Sequence, residues 1–211
     1  MYFVYFYHME RIFFICSVIL ILASCGSNQD PLPILGEATM VGDKKIYPRI
    51  ADFNFINQDS SPVTNASFTN KIYIADFIFL SCPTICPVMT MELKKVYDAY
   101  ATDSRVLFLS HTIDPERDTI PRLKAYARAL GVPTARWHFV TGQPDTIIKL
   151  AEKSYYSAAH PDSRAPGGFV HSGGFLLVDK DRHIRGVYNS LRPEETDRLI
   201  ADIKRLLREQ F

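Results

Sequence analysis

Apolar positions along this chain change period several times, and each change predicts an element. Residues 12–23 (IFFICSVILILA) are continuously apolar, too short for a comfortable membrane span but of the length of a signal-peptide core. Residues 53–57 alternate in the strand period, and turn-forming residues 58–62 precede Val63-Thr64, which predicts an N-terminal hairpin ahead of the main sheet. Residues 72–80 (IYIADFIFL) are nearly all apolar and rich in β-branched and aromatic types, as a central strand covered on both faces requires. Met89, Leu93, Val96, Tyr97 and Tyr100 keep helical spacing, predicting a helix from near Cys86 to about Tyr100. A second buried strand follows at 106–110, a helix at 119–130 ending on Gly131, a short strand at 137–140, and a helix at 144–154 opening on proline. Residues 174–179 and 184–188 flank the polar turn 180–183, and Leu199, Ile200, Ile203, Leu206 and Leu207 stripe a closing helix. This alternation predicts an α/β fold: a thioredoxin-like sheet flanked by helices.

Composition narrows the function classes. The 211 residues are 47% hydrophobic and 22% charged, and Lys plus Arg (24) nearly equals Asp plus Glu (23). With a net charge of +1 and no long run of one sign, the chain lacks a nucleic-acid footprint. Leu22-Ala23-Ser24-Cys25-Gly26 follows the apolar core and resembles the bacterial lipobox, whose cysteine is acylated and becomes the first mature residue. Met9-Glu10-Arg11 makes a compact n-region, so translation is expected to begin at Met9 rather than Met1. The expected organisation is a lipoprotein signal over 1–24, a lipidated tether rich in Ser, Asn, Pro and Gly over 25–45, and one domain over 46–211. That domain lies in the bacterial cell envelope, outside the cytoplasm.

Four cysteines are present, of which Cys16 leaves with the signal and Cys25 carries lipid. Cys82 and Cys86 remain, directly after the predicted central strand, where α/β sheets place their reactive crevice. In an oxidising compartment a CxxxC pair is a disulfide, a redox couple or half of a metal site. Residues four apart at a helix start share a face, and the N–H groups there favour thiolate, which serves both metal binding and nucleophilic attack. A purely structural disulfide removes little unfolded-state entropy when it closes so short a loop.

Three stretches together are more specific than the pair alone: FLSCPTICP over 79–87, IDPERDT over 113–119, and Val170-His171-Ser172 before a strand. In order and spacing they resemble the Sco/SenC family, over about residues 47–207. The resemblance implies a thioredoxin-like fold, copper as the bound metal, Cys82 and Cys86 as two ligands and His171 as the third. It also implies a partner: the copper-site subunit of cytochrome c oxidase, to which copper is delivered or whose cysteines are reduced. Two thiolates and one imidazole suit Cu(I), whereas zinc would want a fourth ligand. Val170 departs from the family's usual aspartate before the histidine, so a carboxylate orienter for His171 is missing and Asp114 is the candidate substitute, its alternative being a turn residue before Pro115.

Asp76 stands inside the apolar strand, six residues before Cys82. Similar spacing in thioredoxins places a buried aspartate that relays protons for the second cysteine; a polar seam or a lysine partner is the plainer role. His111, at the end of a predicted strand, is the candidate auxiliary ligand, while His138, His160 and His183 are expected at the surface. Asp118 is expected to cap the helix that follows it. Two functions result: a copper-binding assembly protein, or a thiol:disulfide oxidoreductase using Cys82 and Cys86. Peroxide reduction by the same pair is a third and weaker reading.

Overall fold

The computed structural model describes residues 30–211. The expected signal, Cys16, Cys25 and the start of the tether lie outside them. Eleven strands are present among the described residues: β1 Thr39–Val41, β2 Lys44–Ile46, β3 Asn54–Asn57, β4 Pro62–Thr64, β5 Ile72–Ile78, β6 Val106–Thr112, β7 Trp137–Thr141, β8 Ala159–Pro161, β9 Phe169–His171, β10 Gly174–Val178 and β11 Ile184–Asn189. The α-helices are α1 Ile85–Ala99, α2 Ile120–Ala129, α3 Pro144–Ser154 and α4 Pro193–Gln210. Seven strands form one sheet in the order β11-β10-β5-β6-β7-β3-β4. The β5-β6-β7 centre is parallel, joined through α1 and α2, and the flanking pairs are antiparallel. This is the expected mixed sheet, and β3-β4 is the expected hairpin.

Every residue of β5 and β6 is buried, as their apolar runs predict. Successive side chains alternate faces, so Asp76 shares a face with its register partner Ser110, and Phe77 shares the other with His111. Strand β6 outruns its expected end because Ser110, His111 and Thr112, polar in sequence, still pair with Asp76, Phe77 and Ile78. Burial of these polar residues is satisfied in part by tertiary partners: Ser110 accepts a hydrogen bond from the Trp137 indole at 2.9 Å.

Several expectations about polar residues are corrected. His111 is no auxiliary ligand: it is fully buried, stacked on Phe77 at 4.8 Å and set edge-on to Phe55 and Phe53. Asp118 does not cap α2, whose N-cap is Thr119 without a side-chain bond. Its carboxylate is instead buried and accepts from the Leu80 backbone N–H at 3.0 Å and the Thr112 hydroxyl at 2.6 Å, tying the turn after β5 to the end of β6. His183 is half-buried beside Asp179 at 3.6 Å, and His138 packs edge-on to Phe68, whereas His160 is exposed as expected.

The segment expected as free tether is also partly docked. Leu32 is buried, its N–H donating to Glu209 at 2.8 Å, and Leu35 N–H donates to the Ile184 carbonyl at 2.8 Å. Arg185, itself buried, donates to the carbonyls of Leu32 and Pro33 and is charge-paired to Asp179 and Glu209. Beyond this strap, β1 and β2 form a separate two-stranded hairpin in which every residue is exposed.

Candidate metal centre

Cys82 sits in the turn that closes β5, its N–H donating to the Phe79 carbonyl at 3.1 Å. Four residues on, Cys86 lies in the first turn of α1, so the helix start aims both sulfurs at one side. His171 comes from elsewhere in the chain, at the end of β9, and the β8-β9 ribbon pairs Ala159 with His171. The ribbon is pinned at its base by Ser172 N–H donating to Ala158 and by a hydroxyl bond between Ser157 and Ser172. Phe79 holds the ring of His171 edge-on at 5.4 Å. Above Phe79 lies Gly167 at φ +77°, where a Cβ would meet the Phe79 ring at 2.6 Å and Pro83 at 3.3 Å, so glycine permits both the left-handed backbone and the close approach.

The three donor atoms lie within 4.8 Å of one another. His171 Nε2 is 3.9 Å from Cys82 Sγ and 3.5 Å from Cys86 Sγ. At bonds of about 2.3 Å to sulfur and about 2.0 Å to nitrogen, the lengths zinc takes, a trigonal ion would space nitrogen and sulfur about 3.7 Å apart. The residues fit a small soft cation with little rearrangement. Among the described residues this is the one cluster of three such donors, and no further His, Cys or carboxylate joins it.

Burial disfavours a charged thiolate at Cys82, yet the backbone N–H groups of Cys86 and Thr84, the His171 ring and the Thr84 hydroxyl outweigh it and bring the thiol down to about 6. Cys86 is pushed far up, chiefly by burial and then by its neighbour Cys82. The pair is therefore asymmetric: Cys82 is the ready thiolate. Asp76, fully buried under the same face, is raised to about 7 by burial against a weaker lowering from Ser110, and its charge bears on Cys86. One of its carboxylate oxygens is buried with no hydrogen-bond partner among the described residues.

Cys82, Cys86 and His171 are thus brought together, Asp76 sits beneath them, and His111 is held apart in the core. Asp114 does not orient His171: its carboxylate faces Arg117 at 3.4 Å, while His171 Nδ1 is buried with no hydrogen-bond partner among the described residues. Sequence reasoning missed the Asp118 tie to Leu80 and the contribution of Thr84, although both residues lie inside the quoted motifs. It also missed the β8-β9 ribbon, whose six residues carry no strand-length apolar pattern.

A SCO1/SenC family model matches residues 43–208. The SCO1 protein homolog of Bacillus subtilis is 30% identical over 190 residues, covering 89% of this chain and 91% of that relative. A crystal structure of a SCO1/SenC family lipoprotein from Bacillus anthracis superposes with a TM-score of 0.70 at 28% identity, covering 75% of this chain and 95% of that one. The structure of Bradyrhizobium japonicum ScoI with copper bound superposes at 0.61 and 28% identity, covering 74% and 98%. With a thioredoxin-like sheet, three converging donors and a family match over most of its length, the chain belongs to the SCO1/SenC family.

Proposed function

We propose that this chain binds one copper ion as cargo through Cys82, Cys86 and His171 and delivers it to, or matures, the copper site of cytochrome c oxidase. The convergence of two thiols and one imidazole within 4.8 Å carries this reading. Soft sulfur donors in a three-coordinate set favour Cu(I), and family membership supports copper and the oxidase as metal and destination. The chain's part is to present Cys82 as thiolate at neutral pH and to hold His171 over the pair. X-ray absorption of the Cu(I)-loaded protein should show two sulfurs and one nitrogen, with one copper per chain. Unchanged copper affinity in His171→Ala would remove the histidine from the site and sink the assignment.

The protein is proposed to work in the bacterial cell envelope, lipid-anchored through Cys25. The lipobox carries that reading, and the lipoprotein relative from Bacillus anthracis supports it. Cys25→Ser should release the chain from membranes or mislocalise it, and an intact mass showing unmodified Cys25 on the membrane-extracted protein would contradict the anchor.

A second reading, thiol:disulfide exchange, is favoured by the asymmetry of the thiols and by Asp76. The Cys82 thiolate would attack a partner's disulfide, releasing one partner thiolate, which takes a proton from solvent. Cys86, giving its proton to the Asp76 carboxylate, would then attack Cys82 sulfur and release the second partner thiolate. Two electrons pass to the partner and a Cys82–Cys86 disulfide remains. Asp76→Asn should bind Cu(I) nearly normally yet reduce disulfides more slowly and with a flatter pH profile. Identical rates and profiles would leave Asp76 a structural residue.

A further inference from the structure

The end of the sheet opposite the metal centre carries a set of features that copper binding does not use. The centre lies beyond the carboxyl end of β5, at Cys82. The strap binds at the other end: Leu32 and Leu35 meet Ile184 and Arg185 at the start of β11 and Glu209 in the last turn of α4. That start of β11 lies beside Val178, which pairs with Tyr73 near the amino end of β5. The two ends are separated by the length of β5, about 20 Å for seven residues.

At this same end the β1-β2 hairpin is rooted. Its two legs are tied at the base, Leu35 to Ile184 and Ile50 N–H to the Arg182 carbonyl, and Gly36 approaches Pro48 so closely that a Cβ there would clash with the proline ring. Beyond that clamp the hairpin belongs to no larger sheet, and Met40 (64%), Val41 (65%) and Ile46 (49%) are among the most exposed apolar residues described. A lone two-stranded hairpin is marginal in water, and its register places Val41 and Ile46 on one face with Lys44, and Met40 on the other with Lys45, so each face carries an exposed apolar residue beside a lysine. Lys44 and Lys45 outnumber Asp43 within it, and Lys180 and half-exposed Phe211 lie at the same end of the sheet, the lysine over the ring at 5.6 Å. Aliphatic side chains interleaved with lysine are the chemistry of an anionic lipid surface.

Chain length selects that occupant. This step rests on the proposed acylation of Cys25. Because Leu32 is fastened to the domain, only seven residues separate the acylated cysteine from a fixed point, a reach of at most about 25 Å. A tether running freely to residue 45 would allow nearly three times as much. We infer that the β1-β2 hairpin rests on the membrane, its apolar residues among the headgroups, so that the strap end faces the bilayer and the Cys82-Cys86-His171 centre faces away from it.

Amide hydrogen exchange on the full chain, purified from membranes and compared in phosphatidylethanolamine/phosphatidylglycerol vesicles and in non-ionic detergent micelles, tests this. Amides of 39–46 should exchange roughly tenfold more slowly in vesicles while those around Cys82 and His171 are unchanged. Met40→Asp with Val41→Asp should abolish that protection and leave copper stoichiometry intact, and Lys44→Glu with Lys45→Glu should weaken it more at low salt than at high salt. Equal exchange in vesicles and micelles would overturn the inference. Protection that rises with protein density at fixed lipid would overturn it in favour of contact between copies of the chain. The intact mass of the same sample reports acylation separately: bare Cys25 fails the anchor reading, whereas acylated Cys25 with unprotected 39–46 fails only the membrane-facing hairpin.

Discussion

Asp76 and His111 are neighbours in register yet lie on opposite faces of the central strands, and burial perturbs them in opposite senses. Burial lowers His111 to about 4, partly offset by the Asp76 backbone carbonyl, so the unfolded chain holds the extra proton between about pH 4 and 6.5 and stability rises with pH in that window. Burial raises Asp76 to about 7, so the folded chain holds the extra proton from 3.8 up to about 7 and stability falls with pH there. Each effect is on the order of 3–4 kcal/mol, and between about pH 4 and 6.5 the two slopes oppose and largely cancel each other. Chemical denaturation should uncover both slopes: His111→Gln should lose stability as pH rises through this range, and Asp76→Asn should gain it. Parallel profiles in the three proteins would show that neither group is buried as described. Of these two residues only Asp76 announced itself, because a lone carboxylate in an apolar run is conspicuous. His111, at a predicted strand end, looked available for metal, and only the aromatic side chains that close over it from β3 and from Tyr155 exclude that.

At the scale of elements, the centre depends on two short pieces meeting: the turn after β5 and the β8-β9 ribbon. They touch through Phe79, which packs on Phe169 and His171 of β9, and through the close approach of Gly167 to Phe79 and Pro83. Gly167→Ala adds a methyl where φ is +77° and the Phe79 ring is 2.6 Å away, so the ribbon must shift. The expected cost is about 1–2 kcal/mol of stability, and because the ribbon carries His171, copper affinity should fall while the Cys82 and Cys86 thiols stay fully titratable. Unaltered copper affinity in a folded Gly167→Ala protein would mean that the ribbon is not held there. The helices and central strands were legible in the sequence within a few residues, since each buries an apolar stripe or run longer than a turn. The ribbon was not, because each of its strands is three residues long, too short for a period to show, and finds its partner only in the other.

Across the whole molecule, the N-terminal strap is fastened through one buried cation. Arg185 meets Asp179 at 3.1 Å and Glu209 at 2.8 Å while donating to two strap carbonyls. Arg185→Met removes the buried cation from Asp179 and Glu209, which keep only backbone N–H donors and the weaker His183 and Arg205 contacts, and should destabilise the fold by about 3 kcal/mol, opening residues 30–37 to proteolysis before the domain itself unfolds. Cleavage of that segment at equal rates in both proteins would show that Arg185 does not hold it. The strap joins β11, α4 and the chain's amino-terminal side, and so links the tether to the sheet end opposite the metal centre.

What the sequence determined by itself was set locally: period and composition of apolar runs produce the α/β alternation, and the three motifs name Cys82, Cys86 and His171 with the family they resemble. The tertiary structure decided whatever depends on contacts between distant segments. It placed His171 against two sulfurs 85 and 89 residues earlier, turned Asp118 from a helix cap into a brace for the cysteine turn, and fastened part of the tether, at Leu32 to Leu35, onto the domain. Local patterns record which side chains avoid water, whereas hydrogen-bond partners and buried charges are selected only when the chain has closed around them.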